Sequence, residues 1–357
     1  MNPLLQAKRL GQRLWLDNLS RELLAGPLQT LIAEDGLAGV TSNPAIFQKS
    51  ISAGAGYADD LAALKAQPLS TEQRFEALAV PDVQAACDLF AASYQASEGL
   101  DGYVSLEVSP FLARDGAGTL AAAQRLWAAI DRPNAMIKIP ATPESLPAFS
   151  AAIAAGINVN VTLMFGQRDC DAVFDAYLAG LRQRLAAGGD LRHVRSVASL
   201  FLSRVDTLVD ARLEAIGADA VLLKGSAALA MAKLAYARWT ARWNGDECAD
   251  LRAAGANVQR LLWASTGTKN PAYPDTLYVD NLIGPDTVNT LPDATLAAFR
   301  DHGTASLALL EGVDAAETTL KRLAEIGIDL DAAAVQLQVD GLKLFDEAFE
   351  KLLASLA

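Results

Sequence analysis

Apolar residues in this chain come in short runs of four to eight, bounded by turn residues and separated by longer stretches with helical spacing. Eight runs read as strands: RLWLD (13–17), LAGVTS (37–42), YVSLEVS (103–109), AMIKIPA (135–141), INVNVTLMF (157–165), VRSVASLF (194–201), VQRLLWAS (258–265) and DTVNTLP (286–292). Between them, Thr142-Pro143-Glu144 reads as a helix start with Thr142 as N-cap, and Gly156 as its stop. Asp293 is expected to cap ATLAAF, and Gly327 to end TLKRLAEI. TLYVDNLIG reads as a helix capped by Asp275 and stopped by Gly284-Pro285, because Val279, Leu282 and Ile283 share a face.

Strands alternating with helices predict a parallel sheet, and eight units without a midpoint break predict a single α/β domain, a closed (β/α)₈ barrel over residues 1–357. Two regions exceed the minimal barrel. One is a helical insertion at about 48–100, between the second and third strands. The other is a helical tail at about 302–357 with an apolar stripe of Leu337, Phe345, Phe349 and Leu352. Packing on the barrel exterior is the expectation for that stripe, the alternatives being a cover for the active-site face or a subunit contact.

Polar residues gather at the C-terminal ends of the strands, where barrels of this kind carry their chemistry. They are Asp17, Asn43, Glu107, Lys138, Asn160 with Thr162, Ser199 with Arg204, and Ser265 followed by Thr266, Gly267, Thr268 and Lys269. In MIKIP the period-two pleat turns Ile137 and Ile139 outward and Met136 and Lys138 into the barrel. An interior ammonium is costly to desolvate. A fold keeps one either as half of a buried ion pair or as an amine nucleophile. Glu107 on the neighbouring strand, with Asn160 and Thr162 on the other side, could share a water with that amine, the proton shuttle that carbinolamine formation requires. Asp17 reads either as a loop cap or as the base for a substrate hydroxyl. Ser199, Arg204, Ser265 and Lys269 read as a phosphate site, since loops after the late strands often bind that group.

Composition narrows the alternatives. The chain has 30 Lys+Arg against 42 Asp+Glu, a net charge of −12, with no Lys/Arg run longer than a pair. Nucleic acid and anionic membrane are therefore not expected as partners. At 52% hydrophobic and 20% charged, the chain can build a large core. The uncharged stretch 145–167 contains Pro147, Gly156 and Asn158, and reads as helix, stop and buried strand rather than a membrane span. The N-terminus lacks the pattern of an export signal, and three scattered cysteines point to a reducing cytoplasm. With two histidines, His193 and His302, both in polar loop-like surroundings, neither a histidine metal site nor a Ser-His-Asp triad is expected, and no cofactor is called for. GAGTLA (116–121) is a loose dinucleotide fingerprint without the strand spacing or the later acidic residue that would give it meaning.

GVTSNPAIF (39–47) resembles the second-strand signature of transaldolases, and MIKIPATPE (136–144) the segment carrying their Schiff-base lysine. LWLDN (14–18), SLEVSP (105–110), NVNVTLMF (158–165), SLFLSR (199–204) and ASTGTKNP (264–271) extend the likeness in order over about residues 13–300. The resemblance implies a metal-free class I enzyme of the non-oxidative pentose phosphate pathway. It would transfer a dihydroxyacetone unit from sedoheptulose 7-phosphate to glyceraldehyde 3-phosphate, giving erythrose 4-phosphate and fructose 6-phosphate. It further implies Lys138 as the imine lysine, Glu107 and Thr162 as proton handlers and Asp17 as base at the C4 hydroxyl. Asn43 and Asn160 would bind hydroxyls, with Ser199, Arg204 and Ser265 at the phosphate. Short transaldolases carry Ser-Phe-Arg where this chain has Ser265 to Lys269, so a phosphate role for Lys269 is a separate expectation. Fructose 6-phosphate aldolases, which release dihydroxyacetone, have Tyr in place of Phe201 and lack the counterpart of Glu107. A catalytically silent barrel would have lost the lysine or a carboxylate. The expected partners are sugar phosphates, with the protein a monomer or homodimer.

Overall fold

The computed structural model describes residues 2–54 and 56–357. Eight parallel strands close into a barrel in chain order. They are β1 (Gln12–Leu16), β2 (Gly39–Thr41), β3 (Tyr103–Glu107), β4 (Ala135–Pro140), β5 (Val159–Met164), β6 (Ser196–Phe201), β7 (Arg260–Ala264) and β8 (Thr287–Leu291). Each of the eight expected segments contains one of them, apart from the first residue of β1. The fold is a single (β/α)₈ barrel.

In register, Cα partners on adjacent strands share a face. Glu107 pairs with Lys138 and Lys138 with Asn160, so three polar residues form one lateral row on the inner wall. Below that row Trp15 and Tyr103 pack with ring centroids 6.2 Å apart. Gly39 passes between their strands, and a Cβ there would come within 2.6 Å of the Tyr103 carbonyl oxygen and 2.8 Å of the Trp15 ring. The outward faces of the strands meet the helices in a second apolar layer, with Trp263, Phe149 and Phe174 fully buried.

The segment after β2 holds three helices, Pro44–Ser52, Ala58–Lys65 and the long Thr71–Ala96. The first begins four residues before the expected insertion, with Asn43 as its N-cap. Three expected caps are corrected. Thr142 closes a turn, accepting from Ser145 N at 3.2 Å, and the helix starts only at Leu146, though it stops at Gly156 with φ +87° as expected. Asp293 is the first residue of its helix, capped by Pro292, and its carboxylate accepts from Asn18 Nδ2 at 3.0 Å. Asp275 caps nothing; it lies 2.8 Å from Nε2 of His302, which ends the helix Asp293–His302 rather than lying in a loop. Thr142 also donates to the Ala113 carbonyl, so in each case a short polar side chain found a tertiary partner that local spacing does not encode.

GAGTLA opens the helix Gly116–Ile130, where the Asp115 carboxylate accepts from Gly118 N at 2.9 Å and fills the space an anion would need. Among the described residues no helix is long and apolar enough to cross a membrane.

The tail departs most from expectation. Its last helix, Leu330–Leu356, does not lie on the barrel exterior; it runs over the C-terminal mouth. Gln338 Nε2 donates to the carbonyls of Ala141 at 3.0 Å and Leu163 at 3.2 Å, just past β4 and at the end of β5. A Cβ on Gly341 would lie 3.1 Å from Leu163 and 3.6 Å from the Arg204 guanidinium. Phe349 packs edge-on against Phe75 and Phe111, and Leu352 and Leu356 are fully buried.

Candidate active site

Strand ends, the loops after them and the tail enclose a cavity of about 240 Å³. Asp17, Asn43, Lys138, Asn160, Thr162, Ser199, Arg204, Ser265 and Lys269 all line it. Glu107, the tenth residue singled out from the sequence, stands behind Lys138, with Oε2 3.2 Å from Nζ.

Lys138 and Glu107 are 5% and 8% exposed, so this is a pair taken out of water. Their contact has ion-pair distance but not hydrogen-bond geometry, and Glu107 Oε2 has no hydrogen-bond partner among the described residues. The ammonium donates weakly to the Ser42 carbonyl at 3.4 Å and lies 5.8 Å from the Phe345 ring centroid. Burial pushes the Glu107 carboxyl above its ordinary range, opposed by Lys138 and assisted by Asp17. Thr162 is fully buried, and its hydroxyl has no hydrogen-bond partner among the described residues. A buried hydroxyl without a partner costs free energy unless a ligand or water meets it, which marks it as kept for one. The register of β5 shifts between Val161 and Met164, and Leu163 takes φ +60° within it. Such a bulge re-aims the side chains beside it, here Thr162.

Asp17, just past β1, accepts from Thr41 Oγ1 at 2.8 Å, and that hydroxyl is 2.8 Å from Thr290 Oγ1. Burial raises the Asp17 pKa, countered by Lys138 and the Thr41 bond. Asn160 is fixed from both sides: it donates to Ser105 Oγ at 3.1 Å and accepts from Ser199 Oγ at 2.7 Å. The hydroxyl of Ser199 is thus engaged in orienting that amide. Asn43 uses its carboxamide oxygen to accept from Ile46 N at 3.0 Å, which leaves its NH₂ group to donate to a ligand.

Away from Lys138 the character changes. Arg204 lies in the first turn of the helix Ser203–Ile216 beside the Phe201 ring, 5.5 Å from its centroid. Among the described residues no carboxylate reaches it within ion-pair distance. Burial pushes its pKa down. Ser265 follows β7 with φ +55°, a region costly for a residue with a Cβ. It is held there by Ser203, whose hydroxyl lies 2.8 Å from its own and whose backbone N donates to its carbonyl at 3.0 Å. Lys269 is exposed on the same loop. That loop and the short helix after it, Leu277–Asn281, are tied to the Arg204 helix by two phenols, Tyr273 donating to Asp210 at 2.5 Å and Tyr278 to Asp206 at 2.8 Å. Burial raises Asp206 to about 6.

An amine, a carboxyl of raised pKa and a free hydroxyl around one point can join nitrogen to a carbonyl carbon and expel water. A second carboxylate across the cavity can take a proton from a hydroxyl, and two cations with a helix start can hold an anion. Sequence reasoning gave no role to Thr41 and Thr290, although both are polar positions on inward faces. It also left Phe345 as one member of an apolar stripe, with no local signal of what that stripe meets.

A model of the family described as Transaldolase/Fructose-6-phosphate aldolase matches residues 14–356. Among curated proteins, the transaldolase of Thiobacillus denitrificans is 53% identical over the whole of both chains, and that of Neisseria gonorrhoeae 52% over the whole of both. The transaldolase of Mycolicibacterium smegmatis is 48% identical over 99% of this chain and 96% of its own.

Proposed function

The chain belongs to the transaldolase/fructose-6-phosphate aldolase family, and from that premise we propose that it is a transaldolase acting through an imine on Lys138. The observation that carries the reading is the buried Lys138–Glu107 pair, with the Thr162 hydroxyl, unpartnered among the described residues, lining the same cavity as Lys138. Nucleophilic attack needs the free amine, and Glu107 is placed to take its proton. The nitrogen adds to the ketone of sedoheptulose 7-phosphate to give a carbinolamine, which loses water to form an iminium. Glu107 and Thr162 pass protons through a shared water in both steps. Asp17 then removes the C4 hydroxyl proton. The C3–C4 bond breaks, its electrons flow into the iminium to leave an enamine, and erythrose 4-phosphate departs. The enamine attacks the aldehyde of glyceraldehyde 3-phosphate, and hydrolysis of the new imine gives fructose 6-phosphate.

Asn43 and Asn160 hold hydroxyls of the three-carbon unit, Asn160 being oriented by Ser199. Arg204, Ser265 and Lys269 receive the phosphate. Phe201 and Glu107 favour transfer over release, since the aldolases that release dihydroxyacetone have Tyr at the first position and no Glu at the second. The same reading places the protein in the cytoplasm, with sugar phosphates as partners, as a monomer or homodimer.

Borohydride reduction in the presence of fructose 6-phosphate, followed by intact-mass spectrometry, tests the reading. Wild type should gain one reduced dihydroxyacetone unit and Lys138→Ala none. Absence of the adduct on active wild-type protein would overturn the imine, leaving Lys138 as half of a buried ion pair.

A further inference from the structure

Phe345 is the part of the C-terminal helix that lines the cavity holding Lys138. It is 8% exposed and faces the nitrogen that reacts, with Nζ 5.8 Å from the ring centroid. Its place is set from both directions along the helix. Seven residues before it Gln338 is bonded to two carbonyls at the strand ends, and four residues before it Gly341 passes close to Leu163 and Arg204. Four residues after it Phe349 is wedged between Phe75 and Phe111, and the fully buried Leu352 follows. The backbone that carries the ring therefore cannot shift without undocking the helix.

We propose that Phe345 sets the balance between transfer of the three-carbon unit and its release, resting on the reading of Lys138 as the imine lysine. Two physical effects act together. An aromatic face within about 6 Å of a cation stabilises it, so the ring supports the charge on nitrogen as ammonium and then as iminium. The ring is also apolar and occupies cavity wall that water would otherwise fill. Release needs that water. The enamine must take a proton on carbon to become the dihydroxyacetone iminium, water must add to the iminium carbon, and the C–N bond must break to free dihydroxyacetone and the amine. Transfer requires instead that the enamine survive until an aldehyde arrives. A dry ring at the nitrogen slows the first course by keeping water from the iminium carbon, whereas the charge it stabilises forms on both courses and does not separate them. Glu107 and Thr162 handle protons in either direction; Phe345 determines how often bulk water enters.

The test measures two rates on the same protein with fructose 6-phosphate: dihydroxyacetone release without acceptor, and transfer to erythrose 4-phosphate. Phe345→Ala should raise the ratio of release to transfer roughly tenfold, and Phe345→Leu, which refills most of the volume without the aromatic face, should fall between. Leu352→Ala opens a cavity two turns beyond Phe345 while Phe349 and Gln338 keep the helix docked, so it lowers stability and should leave the ratio near wild type. An unchanged ratio in both Phe345 variants that still form the borohydride adduct would overturn the proposal. So would an equal rise in Leu352→Ala, because the effect would then belong to helix docking. If Phe345→Ala does not fold, the Leu variant against Leu352→Ala decides alone. Failure of the imine reading itself would be recognised separately, by wild type forming no adduct.

Discussion

At the inner end of the cavity Lys138 and Glu107 are both buried and 3.2 Å apart, whereas at the outer end Arg204 and Lys269 have no carboxylate partner among the described residues. The two ends use charge differently. Inside, the cation's partner is supplied by the protein, because burying one charge without the other would cost several kcal/mol. Outside, Arg204 is half-buried and its pKa is pressed down by desolvation, and no carboxylate among the described residues offsets that cost. The missing counter-charge is the one a phosphate would bring. The protein is acidic overall, so these unpaired cations also give an anion a local reason to settle there.

The largest test of this contrast is Glu107→Gln. It removes the inner partner and the proposed proton relay together, and kcat should fall by about 10²- to 10⁴-fold. The pH profile sharpens the point. Burial raises the carboxyls of Glu107 and Asp17, and both must be ionised to accept protons, so activity should be lost on acidification at a pH above the ordinary carboxylate range near 4. In the Gln variant only the Asp17 limb should remain. A wild-type profile flat from about pH 4 to pH 7 would contradict the raised values.

Next in size is Arg204→Ala. Loss of a charge-assisted contact should raise KM for phosphorylated donors roughly 10- to 100-fold, while rates with unphosphorylated dihydroxyacetone donors stay near wild type. Equal losses on both kinds of substrate would mean that Arg204 serves the chemistry and the two ends are not separable. The smallest effect is expected from Lys269→Ala. An exposed cation contributes on the order of 0.2–1 kcal/mol, so KM should rise about 1.4- to fivefold, and the difference should shrink with added salt. If KM is unchanged at low salt, the outer end relies on Arg204 and Ser265 without it.

How far the molecule was legible in its sequence follows the same division between local pattern and distant contact. The strands could be read because inward and outward residues alternate in each. That alternation put Glu107, Lys138 and Asn160 on the inner wall before their register was known. Helix starts were less legible. Asp275 and Asp293 have the composition of caps, yet their carboxylates meet His302 and Asn18, contacts between segments far apart in the chain. The engagement of Ser199 with Asn160 is likewise a cross-strand contact. The tail was least legible, since spacing along Leu337, Phe345, Phe349 and Leu352 fixes which face is buried and carries no information about what buries it.

The helix Leu330–Leu356 bears on modularity. Counted by topology, the barrel is complete once β8 has paired with β1. Counted by what encloses the Lys138 nitrogen, it is not complete until a segment some two hundred residues further along the chain has crossed the mouth. The smallest transplantable catalytic unit is therefore larger than the smallest closed sheet. A fragment ending after the helix Asp293–His302 would keep every strand and every polar side chain of the cavity wall, and would still present its lysine to open solvent.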